Sequence, residues 1–527
     1  MQNVNIEPRE TRSLLLKAVP LLCFTLIIVF CSARAFIGLT GTRLYSHDAF
    51  ALLDPAWRML NGQISHSDFS DNLGPIAHLP TVIGLTMVGG KAEGFGYGQA
   101  IAAFILGVWA YFASYDRLSS VRQSILCLAV VCLAVTPFAL GYSPLSISPA
   151  MTYNRYGYAF TAIILTEALL ELRSDNEYGS LLGGASTGFI LVLLAFLKIT
   201  FAVGAFVVVA SLLTCRKQTR PRWIGLLSGS GLAVLLACLY FRLDFYPVLK
   251  DFTNLAAAKR LNFADYSLEN ILENAGTLFI FTVFGFMHLS GDWDSDAARV
   301  YLIAGTTICF VGLFLVFTCF EATGFPLQAV WPILGMELLA KDRRASLRSN
   351  RSFQVSMLAW TVLLVSSLFI SSVISISYGV VHKFRLHDYY TGMNSSRLAG
   401  FTPFKEDAGY MIYVNDGLAL VNKYRRPDDS VMSLDFTNPF SYGLNMKPAR
   451  GGAVALQYQT TFDDSHRLSG DRLFGNAKIV MLPKIFSDGS LTESIPRLYG
   501  SYLNDNFEFV AESDYWKFYR HRASRLQ

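Results

Sequence analysis

The sequence predicts an α-helical polytopic membrane protein with about eleven transmembrane helices, interfacial helices in the first outer loop, and a C-terminal α+β extracytoplasmic domain. The first observation behind this is composition. Of 527 residues, 52% are hydrophobic and only 16% charged, and the mean hydropathy is +0.37; an ordinary soluble chain carries about 25% charged residues. Second, eleven apolar runs approach the ~20 residues of a bilayer crossing, starting near residues 13, 95, 122, 152, 179, 199, 222, 268, 299, 325 and 353. Third, the pattern changes near residue 380 to short alternating runs, GGAVALQY and AKIVMLP among them, between turn clusters such as RRPDDS and TNPFSYG. The expected division is a transmembrane part at 1–379, with its first outer loop at 37–94, and a C-terminal soluble domain at 380–527.

The run from Ser13 to Phe36 follows Arg9 and Arg12, is too long for a signal-peptide core, and precedes no small-residue cleavage motif, so it is a retained first span. With the N-terminus inside, the inside loops hold Arg117 and Arg122, then Arg216, Lys217, Arg220 and Arg222, then Lys341, Arg343, Arg344, Arg348 and Arg351. That is the positive-inside pattern, and it places the C-terminal domain outside. Ile76 to Gly90 is apolar but only 15 residues long, with Pro80 inside it. It reads as interfacial or re-entrant, because counting it as a span would invert every later loop. The eight cysteines show no CxxC pair, and core packing explains them. A net charge of +5 offers no basic stripe for nucleic acid.

Chemistry concentrates in the first outer loop, in YSHDAFALLDPAWRMLNGQISHSDFSDNLGPI. Ala49 to Leu60 has the spacing of a helix lying in the interface plane, with Trp57 and Arg58 suited to the headgroup layer and Gly62 ending it. Four acids (Asp48, Asp54, Asp68, Asp71) and two histidines (His47, His66) thus stand beside the membrane surface. No cofactor follows with certainty. A divalent metal held by the histidines and acids stays open as an alternative, although no two ligands have the i, i+4 spacing of a helical site.

This loop resembles the first exoplasmic loop of the GT-C glycosyltransferases, the multispanning superfamily that includes aminoarabinose transferases and protein O-mannosyltransferases. The residues that carry the resemblance are Asp48 just after the first span, Met59-Leu60-Asn61-Gly62 eleven positions on, and Gly74-Pro75 opening the short apolar run. Tyr153-Asn154-Arg155 and Lys198-Ile199-Thr200 stand where the family has a polar cluster and an outer-face lysine. Two features depart from the family pattern: an Asp is more usual in the first cluster, and Leu73-Gly74-Pro75 replaces a Lys-Pro-Pro. The pattern covers roughly the first 260 residues.

The resemblance implies a membrane glycosyltransferase of cell-envelope glycan biosynthesis, in a bacterial inner membrane. It would move a hexosyl or pentosyl group with inversion from a polyprenyl-phosphate donor to a hydroxyl of a glycan, lipid or protein. Such chemistry calls for a carboxylate base and for cations where the phosphate departs. Asp48 is expected as the base, with Asp54 and Asp71 ranked behind it. His47, Asp68, Tyr153, Asn154, Arg155, Lys198 and Arg260 are expected to bind the donor. Each has a plainer reading: loop acids are solvated or hold turns, and cations at span ends snorkel. A transporter or flippase and a glycan polymerase are the competing functions; a carrier would place ionisable groups at mid-membrane depth, whereas here they cluster at span ends.

Overall fold

The computed structural model describes residues 8–174, 176–215, 218–259, 279–287, 296–319, 326–341 and 351–525. Among the described residues, eleven apolar helices follow the predicted spans. They are α1 (Pro8–Ile37), α4 (Gly94–Ser114), α5 (Ser120–Val135), α6 (Thr152–Leu169), α7 (Glu177–Ala195), α8 (Ile199–Cys215), α9 (Arg220–Tyr240), α11 (279–287), α12 (Asp296–Cys319), α13 (Trp331–Lys341) and α14 (Arg351–Lys383). The intervening α2 (Phe50–Leu60), α3 (Pro75–Met87) and α10 (Tyr246–Ala258) are short. Six helices (α1, α4, α7, α9, α12 and α14) are by length and composition sufficient to cross a membrane. The chain is a polytopic membrane protein. Exposed Leu227, Leu235 and Leu239 on α9 and Val362, Leu363 and Ile370 on α14 suit acyl chains as neighbours. Helices α7 and α9 touch backbone to backbone: a Cβ at Gly225 would stand 2.0 Å from the Leu181 carbonyl oxygen, the close approach that small residues permit in lipid.

Helix α3 has 13 residues, roughly 20 Å at 1.5 Å per residue, and packs along α4. A parity relation bears on its place. Lys383 Nζ, in the last turn of α14, donates to Thr40 Oγ1 at 2.7 Å, just beyond α1. Both helices therefore deliver the chain to the same end of the bundle, which an odd number of crossings satisfies; the eleven expected from sequence are odd, and counting α3 with them would make them even.

At that end sits the C-terminal α/β unit. Its four-stranded sheet has the order β1-β2-β4-β3, from β1 (Val431–Ser433), β2 (Ile479–Pro483), β3 (Phe507–Glu512) and β4 (Trp516–His521). β1 and β2 are parallel; β4 is antiparallel to both β2 and β3. Alternate residues of β2 feed two cores. Val480 packs with Leu491 and Ile495 of α16 (Leu491–Asn506). Ile479 and Met481 pack with Met411, Val414 and Leu418 of α15 (Gly409–Tyr424), and this second core runs on into Ala49, Phe50 and Leu53 at the start of α2.

That shared core corrects two expectations. Arg58 is buried, paired through Nε with Asp54 Oδ2 at 2.7 Å, and Trp57 Nε1 donates to the Met446 carbonyl at 2.9 Å. The C-terminal unit, not a headgroup layer, covers α2. GGAVALQY is no strand either: Gly451 (φ +100°) and Gly452 (φ +80°) bend it onto the first loop, where Gly451 N donates to Asp68 O and Val454 N to Ser70 O.

Candidate active site

A left-handed Tyr45 (φ 54°) ends the turn-rich stretch after α1 and starts a single 3-10 turn, Ser46–Ala49, that presents His47 and Asp48 ahead of α2. The His47 ring stands edge-on to Phe436 at 5.0 Å and to Tyr410 at 5.7 Å, and the Tyr45 hydroxyl hydrogen-bonds that of Tyr142 at 2.7 Å. Aromatic faces from the first loop, the 136–151 loop and the C-terminal unit thus surround Asp48. Its side chain keeps 20% of its surface open, and protein closes round it on the remaining sides. Burial pushes its carboxyl up to about 7. Burial also lowers His47 to about 4, against the pull of Asp488.

The other acids of the loop are bound into the protein. Asp54 pairs with Arg58, and Asn438 Nδ2 reaches its second oxygen at 3.4 Å. Asp71 accepts from Ser65 Oγ (2.7 Å) and Leu73 N (2.9 Å) and meets His78 Nε2 at 2.9 Å. Burial opposes ionisation of Asp71, but His78, helped by His66 and Ser65, outweighs it and holds the carboxyl well below its usual range. Asp68 Oδ2 accepts from Ile64 N at 2.8 Å, a turn-holding bond, and His66 is buried against Asp251 at 2.9 Å. Asp54 and Asp71, expected to be catalytic, thus have buried protein partners, and Asp68, expected to bind donor, accepts a bond within its own turn.

Three of the expected donor-binding residues come together at the start of α6. Lys198 Nζ, between α7 and α8, donates to Asn154 Oδ1 at 3.1 Å and lies 5.2 Å from the Tyr153 ring centroid. Arg155 points elsewhere, with Nη1 towards the Leu133 carbonyl and Cζ 5.1 Å from the Phe138 ring centroid. Arg260 lies outside the described residues. Its neighbour Lys259, which the sequence reading passed over, caps α10 and donates to the Thr318 carbonyl. Burial first, and then the charge of Lys198, lowers Lys259 to about 8. The two ammonium groups thus feel each other's charge in a partly buried place, and the adjacent basic residues Lys259 and Arg260 are the sequence's one signal of it.

Tyr153 joins the two halves. Its ring faces Lys198 and packs against both the membrane-side core and the core that the first loop shares with the C-terminal unit. Among the described residues no three His, Cys, Asp or Glu side chains group as metal ligands.

No family model and no curated protein matches the sequence. Among the solved structures similar to it are two of ArnT from Cupriavidus metallidurans. The apo form has 12% identity and a TM-score of 0.44 over 95% of this chain and 98% of that one. The form bound to undecaprenyl phosphate has 12% identity and a TM-score of 0.48, covering 96% of this chain and 98% of the other.

Proposed function

We propose that this protein is a membrane glycosyltransferase of the GT-C kind, which moves a sugar from a polyprenyl-phosphate donor to an acceptor hydroxyl on the outer face of a bacterial inner membrane. The observation that carries the reading is Asp48: a carboxylate open to solvent on one side, raised to about 7 by burial, on the residue that the loop pattern singles out. A general base works best with a pKa near the operating pH.

In this mechanism the acceptor oxygen attacks the anomeric carbon as Asp48 takes the hydroxyl proton. The bond from that carbon to the phosphate oxygen breaks, the configuration inverts, and the electron pair leaves with the polyprenyl phosphate. Negative charge therefore grows on the phosphate during the step. Lys198 and Lys259 supply fixed positive charge for it, more effective beside lipid than in water. Asn154 holds the Lys198 ammonium in place, and Tyr153 gives the sugar a flat wall.

The test is the lipid extract of cells that lack the protein, analysed by mass spectrometry. A polyprenyl-phosphate sugar should accumulate, disappear when the wild-type protein is restored, and persist with Asp48→Asn. Clearance of that lipid by the Asp48→Asn protein defeats the mechanism, and a lipid pool unchanged by deletion defeats the donor class.

A further inference from the structure

A cavity lies on the C-terminal unit, and Asp48 is not among the residues that line it. It has a volume of about 400 Å³ and is lined by the end of α15, by 394–397 and by 443–445. Its lining contains Arg397, Lys423 and Arg425 and no acidic residue. Among the described residues none of the three cations pairs with a carboxylate. Asp429, five residues beyond the end of α15, is engaged by Arg520 at 3.0 Å.

A helix C-terminus attracts basic residues through its exposed carbonyls, and that accounts for Lys423 in the last turn of α15 and for Arg425 just beyond it. It does not account for Arg397, which belongs to another segment and is held rigidly. The Arg397 guanidinium lies 4.0 Å from the Trp57 ring centroid and 4.9 Å from that of Tyr442, and Nη1 donates to the Tyr442 carbonyl at 3.2 Å. A preorganised guanidinium of this kind is suited to phosphate or carboxylate. Around the cations stand Asn394, Asn422 and Asn445, amides that both donate to and accept from hydroxyl groups. No aromatic face lines the cavity to stack a nucleobase, and its size falls within the range of small-molecule sites.

We propose that this cavity binds an anionic saccharide group, with Arg397, Lys423 and Arg425 on its phosphate or carboxylate and the three asparagines on its hydroxyls. The anion can belong to a glycan in solution or to a lipid headgroup. Trp57 ties the cavity to α2, the helix that follows Asp48, but binding here does not depend on the proposed transfer reaction.

The experiment is calorimetric titration of the full-length protein in phosphatidylcholine nanodiscs with glucose 6-phosphate and with glucose. Glucose 6-phosphate should bind saturably, more weakly as salt is raised, and glucose should not. The exposed double variant Lys423→Gln/Arg425→Gln should bind about tenfold or more weakly, the effect of losing charge-assisted hydrogen bonds, with an unchanged melting temperature. The same titration with Asp48→Asn should match wild type, which separates this site from the proposed activity. Adding phosphatidylglycerol to the nanodiscs identifies the source: competition with glucose 6-phosphate assigns the site to a lipid headgroup, and its absence assigns it to a glycan. Absent binding, equal affinity for glucose, or wild-type affinity in the folded double variant overturns the proposal.

Discussion

Among the described residues, the Asp48 carboxylate has one polar side-chain partner, His47 Nε2 at 3.5 Å from Oδ1. Burial lowers His47 to about 4, so at neutral pH this contact is to an uncharged ring and does little to stabilise the anion. Asp48 therefore stands near 7, where it can accept a proton during a reaction and release it afterwards. Because the active form is the ionised one, kcat/KM should rise about tenfold per pH unit below 7. Asp48→Asn should lose roughly 10²- to 10⁴-fold, the usual worth of a general base. A rate independent of pH between 5 and 7 would remove Asp48 from the proton transfer.

The same shift makes Asp48 a stability liability. A carboxyl raised from 3.8 to about 7 binds its proton more tightly folded than unfolded, so its contribution to stability is full below pH 4 and is lost as pH rises through 7. Three pKa units set a ceiling of about 4 kcal/mol on that loss. Asp48→Asn should accordingly melt higher than wild type at pH 8, with the gap narrowing as pH falls. Thermal unfolding in detergent at a series of pH values measures it, and a lower melting temperature at pH 8 contradicts it.

Lys259 acts at the other side of the pH range. It is needed as a cation, and burial with the nearby Lys198 lowers it to about 8, so the free protein loses this charge as pH passes 8. The kcat/KM profile should be a narrow bell with limbs near 7 and 8. Lys259→Arg keeps its charge at every accessible pH and should flatten the alkaline limb while leaving the acid limb alone. Lys198→Gln should raise the donor KM roughly tenfold, for a lost charge-assisted contact. An alkaline limb that survives Lys259→Arg assigns it to another group.

Asp54 tests what a buried acid of this loop does. Both members of its pair with Arg58 are 2% exposed, and Arg58 Nη1 also donates to the Ala449 and Gly451 carbonyls. Removing the carboxylate strands a buried guanidinium, which costs about 3–5 kcal/mol. Asp54→Ala should lower stability by that order, loosen α2 from the C-terminal unit, and leave the activity per folded molecule within a few fold. Loss of activity at full stability, read by pairing a melting curve with a transfer assay, would return Asp54 to the chemistry.

The spans and the short α3 were legible because a hydrophobic run and its length are local properties of sequence. The Asp54 to Arg58 spacing was a local signal too, since i, i+4 partners face each other on a helix, yet Arg58 also fits a headgroup layer until the C-terminal unit is known to cover it. Lys259 could not be singled out from sequence, because its nearness to Lys198, sixty-one positions earlier in the chain, is a distance that no pattern reports. GGAVALQY alternates like a strand, but its two glycines adopt positive φ and give its backbone to the first loop.

Orientation is the last consequence, and it rests on the bond between Lys383 and Thr40. Since α1 and α14 deliver the chain to the same end, the first loop and the C-terminal unit share one side of the membrane whatever the sign of that side. The sign comes from the arginines: in sequence Arg343, Arg344 and Arg348 precede Arg351, the first residue of α14, and positive loops stay in the cytoplasm. An alkaline-phosphatase fusion after Gln527 should therefore be active and one near Arg344 inactive. Two active fusions would break the parity relation. The reversed pair would keep it while placing Asp48 on the cytoplasmic face, where the proposed outer-face transfer could not occur.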